Sequence, residues 1–298
     1  MARYDPPVPA LFATVHRYPE GEVERMNAAL AEDYAERALI HEMALQLLRS
    51  AEPWQVKRAS QLQPGRRQRW QPRDVPEHLP AWSARFEAFQ WKGKSGAVAG
   101  AAETSTMFEE FARALLDEDG AIRSEAAAEI FRWGQAGPRS WTVQQVDEVI
   151  AAATTGLVSP DAPWSSGWTK VAAAATHAVD LDPEVAGSPQ IIWDSRVSFA
   201  VAELFSRPSD ALRERLFVVA GKTRRRSSDS LRAQSLSRAG WRINATPRRA
   251  WKTQLWGSRL VHAMAGLLNS SDEFEMERAH HGHWTAFDVA AALFVEGY

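Results

Sequence analysis

Cysteine is absent from this 298-residue chain. Disulfides, cysteine-ligated zinc, iron–sulfur clusters and thiolate nucleophiles are therefore excluded. Long hydrophobic runs are missing too. No stretch approaches the ~18 uncharged apolar residues of a membrane span. The opening segment, MARYDPPVPALFATVHRYPEG, is interrupted by prolines and lacks the form of a signal peptide. A cytoplasmic protein without membrane association is expected. Nor is there a strong excess of charge: the formal net charge is −2, so any attraction to phosphate must come from local patches. The patterns G-x-x-x-x-G-K-[ST], G-x-G-x-x-G and H-E-x-x-H do not occur, which leaves NTPase, dinucleotide and zincin chemistry without support. No cofactor and no metal are expected.

What remains is ordinary globular composition, 45% hydrophobic and 24% charged, with 13 tryptophans. Tryptophan mostly fills cores and interfaces, although its ring can also stack on a base. Apolar residues at helical spacing predict an all-α fold. A helical pattern runs from Glu20 to about Ser50 through Met26, Leu30, Tyr34, Leu39, Met43, Leu47 and Leu48, as one helix or two. It is followed by a basic, proline-rich linker holding Arg66, Arg67, Arg69, Trp70 and Arg73. Residues 1–80 are thus expected to form an N-terminal helical extension with its linker, and residues 81–298 the main helical domain.

In that domain Met107, Phe108, Phe111, Leu115 and Leu116 form one apolar stripe. Ala126, Ile130, Phe131 and Trp133 form another, which Gly134 and Gly137 stop. Ser140 is a candidate N-cap for a helix over 142–153. Further helices are predicted at WTKVAAAATHAV, at WDSRVSFAVAELFS, and near 210–220, 229–238, 247–268 and 285–296. No strand pair is evident.

Two of these segments carry candidate chemistry. In IIWDSRVSFAVAELF, Asp194 stands where its carboxylate can accept the free N–H groups of a helix start. Taken alone it reads as a simple N-cap. In SGWTKVAAAATHAV, Lys170 lies in the first helical turn, where the dipole and burial both disfavour an ammonium and lower its pKa. A neutral amine is what a Schiff-base nucleophile requires. Taken alone, Lys170 reads as a solvated surface lysine. Alanines 172–175 leave room for a neighbouring helix to approach closely.

Together the two segments resemble the signature of the helix-hairpin-helix DNA glycosylase superfamily, the 8-oxoguanine DNA glycosylases and their endonuclease III relatives. There, a G-x-G-T-K-V-A hairpin precedes a P-V-D element. Thr169, Lys170, Val171 and Ala172 match the first, and Ile192, Trp193, Asp194 and Val197 match the second. The match covers about residues 140–206 well. The resemblance implies a DNA glycosylase, with or without lyase activity, acting on a modified purine. Lys170 would attack the sugar C1′, and Asp194 would assist proton transfer and stabilise oxocarbenium charge. It also implies nucleic-acid contacts at Gly167, Trp168 and Thr169. The sequence departs from the family in keeping one hairpin glycine, Gly167, and in showing no N-terminal β-domain. The same resemblance carries a second implication: a glycosylase-fold component of a multi-protein bacterial antiphage defence system. Such a component would act on another nucleotide or serve as a nucleic-acid- or protein-binding subunit.

Downstream, Lys222, Arg224, Arg225, Arg226, Arg232, Arg238, Arg242, Arg248, Arg249 and Lys252 face a single acid, Asp229, with Trp241 and Trp251 interleaved. Such a stretch can grip a DNA or other nucleic-acid backbone through counterion release and bidentate arginines, or form a solvated helix face or a protein-docking surface. The trio His280, His281 and His283 reads as a surface turn rather than a metal site, because adjacent histidines seldom converge on one ion. His177 reads as an ordinary helical residue.

Overall fold

Helical periodicity in the sequence becomes helix in space nearly everywhere. The computed structural model describes residues 22–56, 73–92, 98–181, 188–205, 208–219, 228–244 and 246–297. Its helices are α1 (Glu22–Arg49), α2 (Ala81–Ala88), α3 (Ala101–Leu115), α4 (Gly120–Trp133), α5 (Val143–Thr155), α6 (Trp168–Ala175), α7 (His177–Leu181), α8 (Ser195–Leu204), α9 (Asp210–Arg215), α10 (Ser228–Arg238), α11 (Pro247–Ser270), α12 (Glu275–His281) and α13 (Ala286–Glu296). A short antiparallel pair, β1 (Trp91–Lys92) with β2 (Val98–Ala99), is the one sheet among the described residues. No described helix is long and apolar enough to cross a membrane.

The chain divides into two compact units, Met1–Leu39 and Ile40–Tyr298. In the first, the described residues continue α1, with Arg37 paired to Asp33 one turn back at 2.8 Å. Tyr34, expected on the apolar face, is exposed. In the second unit, Ile40, Met43, Ala44, Leu47 and Leu48 are buried, and the Trp82 indole donates to the Leu48 carbonyl at 3.1 Å. The division therefore falls inside α1, well before the boundary at 80 that the proline-rich stretch suggested. Arg66, Arg67, Arg69 and Trp70 lie outside the described residues.

The central core gathers the inward faces of α3 to α6. Phe108, Leu115, Ile130, Val146, Val149 and Val171 are buried there. Ala172, Ala173, Ala174 and Ala175 are buried with them, and α6 packs against α3, α4 and α5. Small side chains allow this close approach, as the sequence suggested. On the other side, α13 packs against α2, α8 and α11. Its dense apolar sequence, AFDVAAALFVE, suits a helix with neighbours on several sides.

Capping explains where several helices begin. For α5 the cap is Thr142, not Ser140: its hydroxyl accepts from Gln145 N while the Gln145 side chain reaches back, closing a capping box. Helix α2 follows Pro80, which supplies no side-chain cap. Glu277 of α12 takes that role from across the fold. Its carboxylate accepts from Trp82 N at 2.8 Å, Ser83 N at 2.7 Å and the Ser83 hydroxyl at 2.6 Å. All three residues are buried. Glu277→Ala leaves buried donors without a partner, so urea denaturation should show a loss of about 1–3 kcal/mol.

The tryptophans go mainly to the interior. Trp54, Trp82, Trp168, Trp193, Trp241, Trp251, Trp256 and Trp284 are all buried. Trp241 and Trp251, interleaved in the basic stretch, are thus interior rings. The Trp251 indole donates to the Pro163 carbonyl at 3.2 Å, fixing the start of α11 against the loop before α6.

Candidate active site

Lys170 and Asp194 line the same cleft. Each is placed by the start of its own helix. Helix α6 opens from a turn in which Gly167 O accepts Lys170 N at 3.1 Å and Ser165 O accepts Thr169 N at 3.0 Å. Lys170 is therefore the third helical residue, pointing back along the first turn, and its Nζ donates to Ser166 O at 2.9 Å. Asp194 is the N-cap of α8. One carboxylate oxygen accepts from Arg196 N at 2.9 Å and Val197 N at 3.2 Å, and the other lies 3.5 Å from the Arg196 guanidinium.

Both groups are nearly withdrawn from water: Lys170 is 3% exposed and Asp194 4%. The surface-lysine alternative for Lys170 is thus overturned. Burial holds the amine below the ordinary lysine range; Asp194 counters this, and the Arg196 charge adds to the lowering. Among the described residues Lys170 makes no contact ion pair with Asp194 or any other carboxylate. Burial is what draws the amine toward the free base, while the Ser166 carbonyl and the more distant Asp194 carboxylate both act to keep its proton.

Gly134 makes room for this lysine. It was read as a helix stop, and it does cap α4. A Cβ added there would overlap Lys170 Cδ and stand 2.8 Å from Cε. Gly134→Ala should therefore displace the lysine stem, lowering stability by about 1–3 kcal/mol and slowing any reaction of the amine. Thermal denaturation and amine-labelling rates check the two effects.

The cleft has a volume of about 610 Å³ with its open mouth included. Freely accessible space inside is far smaller, so a ligand of that size would enter with movement of the walls. Those walls include the rings of Phe89, Trp91, Trp133, Phe287 and Phe294. Trp91 and Trp133 lie at 5.1 Å between ring centroids, and Phe294 packs on Trp91 at 5.4 Å. Phe287 closes another side against Phe108 at 5.6 Å.

Sequence reasoning missed part of this lining. Lys170 and Ala173 of α6 and His177 and Asp180 of α7 all line the cleft, at a spacing of three, four and three residues that in the sequence reads as a single helical face. His177 is buried, with Nε2 3.0 Å from the Ser105 hydroxyl. Burial holds its imidazole below the usual range, partly offset by Glu109 and Asp288. Asp180 caps α13, accepting from Ala286 N at 2.7 Å and Phe287 N at 2.6 Å. Burial raises its carboxyl, against those hydrogen bonds. The periodicity was visible in the sequence; the aromatic wall facing it was not.

The expected nucleic-acid contacts separate. Gly167 has ordinary helical backbone angles, φ −73° and ψ −46°. Its missing side chain serves packing, since a Cβ would come within 2.6 Å of Ala136 O and 2.8 Å of Gly137 Cα. The side chains of Trp168 and Thr169 are buried. Trp168 stands edge-on to Phe131 at 4.9 Å, and the Thr169 hydroxyl donates to Ser166 O at 3.1 Å. These two side chains form core rather than a nucleic-acid-facing surface. Arg248 and Arg249 are exposed in the first turn of α11. Arg224, Arg225 and Arg226 lie outside the described residues. Arg232 is committed internally, to both carboxylate oxygens of Glu203 at 2.8 and 2.7 Å and to Gly297 O at 2.6 Å.

Of the histidine trio, His281 packs into an aromatic cluster 4.3 Å from Phe86 and 4.0 Å from Trp284, with Asp288 at 3.3 Å. His280 and His283 are exposed. No group of three metal-ligating side chains occurs among the described residues. No family model, curated protein or solved structure matches the chain.

Proposed function

We propose that the protein is a DNA glycosylase in which Lys170 is the nucleophile and Asp194 the assisting carboxylate. The observation that carries this reading is the meeting of a desolvated lysine and a helix-capping aspartate in one aromatic-walled cleft. Segments separated in the chain converge there, and their residue types suit N-glycosidic bond cleavage. The neutral amine of Lys170 attacks C1′ of a nucleotide flipped from the duplex, and the C1′–N bond breaks with its electron pair going to the base. The Asp194 carboxylate offsets the positive charge that develops on the sugar. The attacking amine then loses a proton, and opening of the sugar ring gives a Schiff base. Flat walls formed by Trp91, Trp133, Phe287 and Phe294 suit a planar heteroaromatic ring. Arg248 and Arg249, exposed in the first turn of α11, supply charge for phosphate.

The test is incubation of the full chain with duplexes carrying an abasic site or one of a panel of modified purines, with and without borohydride. Base release and a reduced covalent adduct are expected from the wild type, with both lost in Lys170→Ala. Absence of both across the panel with the wild type would refute the reading.

A further inference from the structure

We propose that His177 determines which base is accepted, its imidazole hydrogen-bonding to the edge of the ring held in the cleft, with Asp180 beside it on the same helix. This deepens the glycosylase reading and rests on it.

Lys170 and Ala173 of α6 line the cleft together with His177 and Asp180 of α7. Lys170 of α6 and His177 of α7 lie seven residues apart across the turn at Thr176. Sharing one cleft, they let one end of a nucleoside meet the amine while the other reaches the imidazole. Ala173, between them in the chain, presents only a methyl group and does not obstruct the ring. Phe287 and Phe294, two helical turns apart on α13, also line the cleft.

His177 is built as a fixed reader rather than a mobile one. Its Nε2 is engaged by the Ser105 hydroxyl at 3.0 Å. Its ring packs edge-on to Phe108 at 5.8 Å and Phe287 at 5.2 Å. These contacts, with a hydrogen bond to the Ser105 backbone, hold the ring plane where it lines the cleft. Desolvation keeps the imidazole neutral, so it forms a directional hydrogen bond rather than presenting a charge. Asp180 accepts two backbone N–H groups from the start of α13 and retains lone pairs for a ring N–H or amino group. The ligand class is a planar nitrogen heterocycle with adjacent polar groups on the edge remote from the sugar. A buried polar group left unpaired by the wrong ring discriminates strongly.

The experiment compares wild type, His177→Leu and His177→Gln in two assays: borohydride trapping on an abasic duplex, which involves no base, and release from the panel of modified purines. For His177→Leu, release of the preferred base should fall at least about tenfold more than trapping does, and the order of preference across the panel should change. His177→Gln, which keeps a hydrogen-bonding group, should recover part of the release. If trapping occurs but the preference order and the release-to-trapping ratio match wild type in both variants, the assignment of His177 is overturned and the glycosylase reading stands. If wild type neither traps nor releases, both fall together. Should His177→Leu fail to fold, His177→Gln decides: a changed preference order supports the assignment, and an unchanged one overturns it.

Discussion

Lys170→Met is expected to make the protein more stable while removing its reaction. The methionine fills the same volume without an amine to desolvate, and the Ser166 carbonyl keeps the Thr169 hydroxyl as a partner. A gain of about 0.5–2 kcal/mol is expected in chemical denaturation near neutral pH. Over the same substitution, trapping and base release should fall by at least about 10³-fold, the scale of loss when a nucleophile is deleted. The stability gain also has a pH signature. The lysine has a lower pKa folded than unfolded, so the unfolded chain binds the extra proton. Its penalty is complete below the folded pKa and fades as pH rises toward the unfolded value of 10.5. The advantage of Lys170→Met should therefore shrink with rising alkalinity. A pH-independent difference would mean that the amine is not desolvated in solution.

Asp194→Asn is the second large effect, and it separates chemistry from capping. Asparagine caps a helix about as well as aspartate, so α8 should keep its start and stability should change by less than about 0.5 kcal/mol. Asp194→Ala, by comparison, should lose about 1 kcal/mol with the cap. Base release by the asparagine variant should nevertheless drop by about 10²–10³-fold, because the charge facing the reacting sugar is gone. The Lys170 pKa should fall further as well, since Asp194 is the group that raises it. Equal activity in wild type and Asp194→Asn would reduce this residue to its cap.

Much of the fold was legible because helices are written locally. The stripe Met107, Phe108, Phe111 and Leu115 became α3, and the run Val197, Ala200 and Val201 became the buried face of α8. Where local signals failed, the missing information was long-range. Helix α2 depends on Glu277 for its cap, which no neighbouring residue announces. Helix α12 was hidden by the glycine and histidines at its end, and the β1–β2 pair is too short to show alternation. Helix α9 stops at Arg215 rather than near 220, where the chain extends to form a bridge between Val218 and Ile243.

The site was legible in the same uneven way. Lys170 and Asp194 stood out by position in their helices, and Asp194 both caps α8 and lines the cleft. Gly134, Trp91 and Trp133 could not be assigned to the site, because their roles exist only once α4, α6 and the strand β1 are brought together. Trp168 misled in the opposite sense. Beside Lys170 in sequence, its ring turns into the core against Phe131.

The most direct measurement is to locate the covalent adduct. Wild-type protein, reduced with borohydride on an abasic duplex and then digested, should yield one modified peptide whose added mass lies on Lys170. An adduct on another lysine, or none at all with intact and folded protein, would contradict the claim that this buried amine is the reacting group.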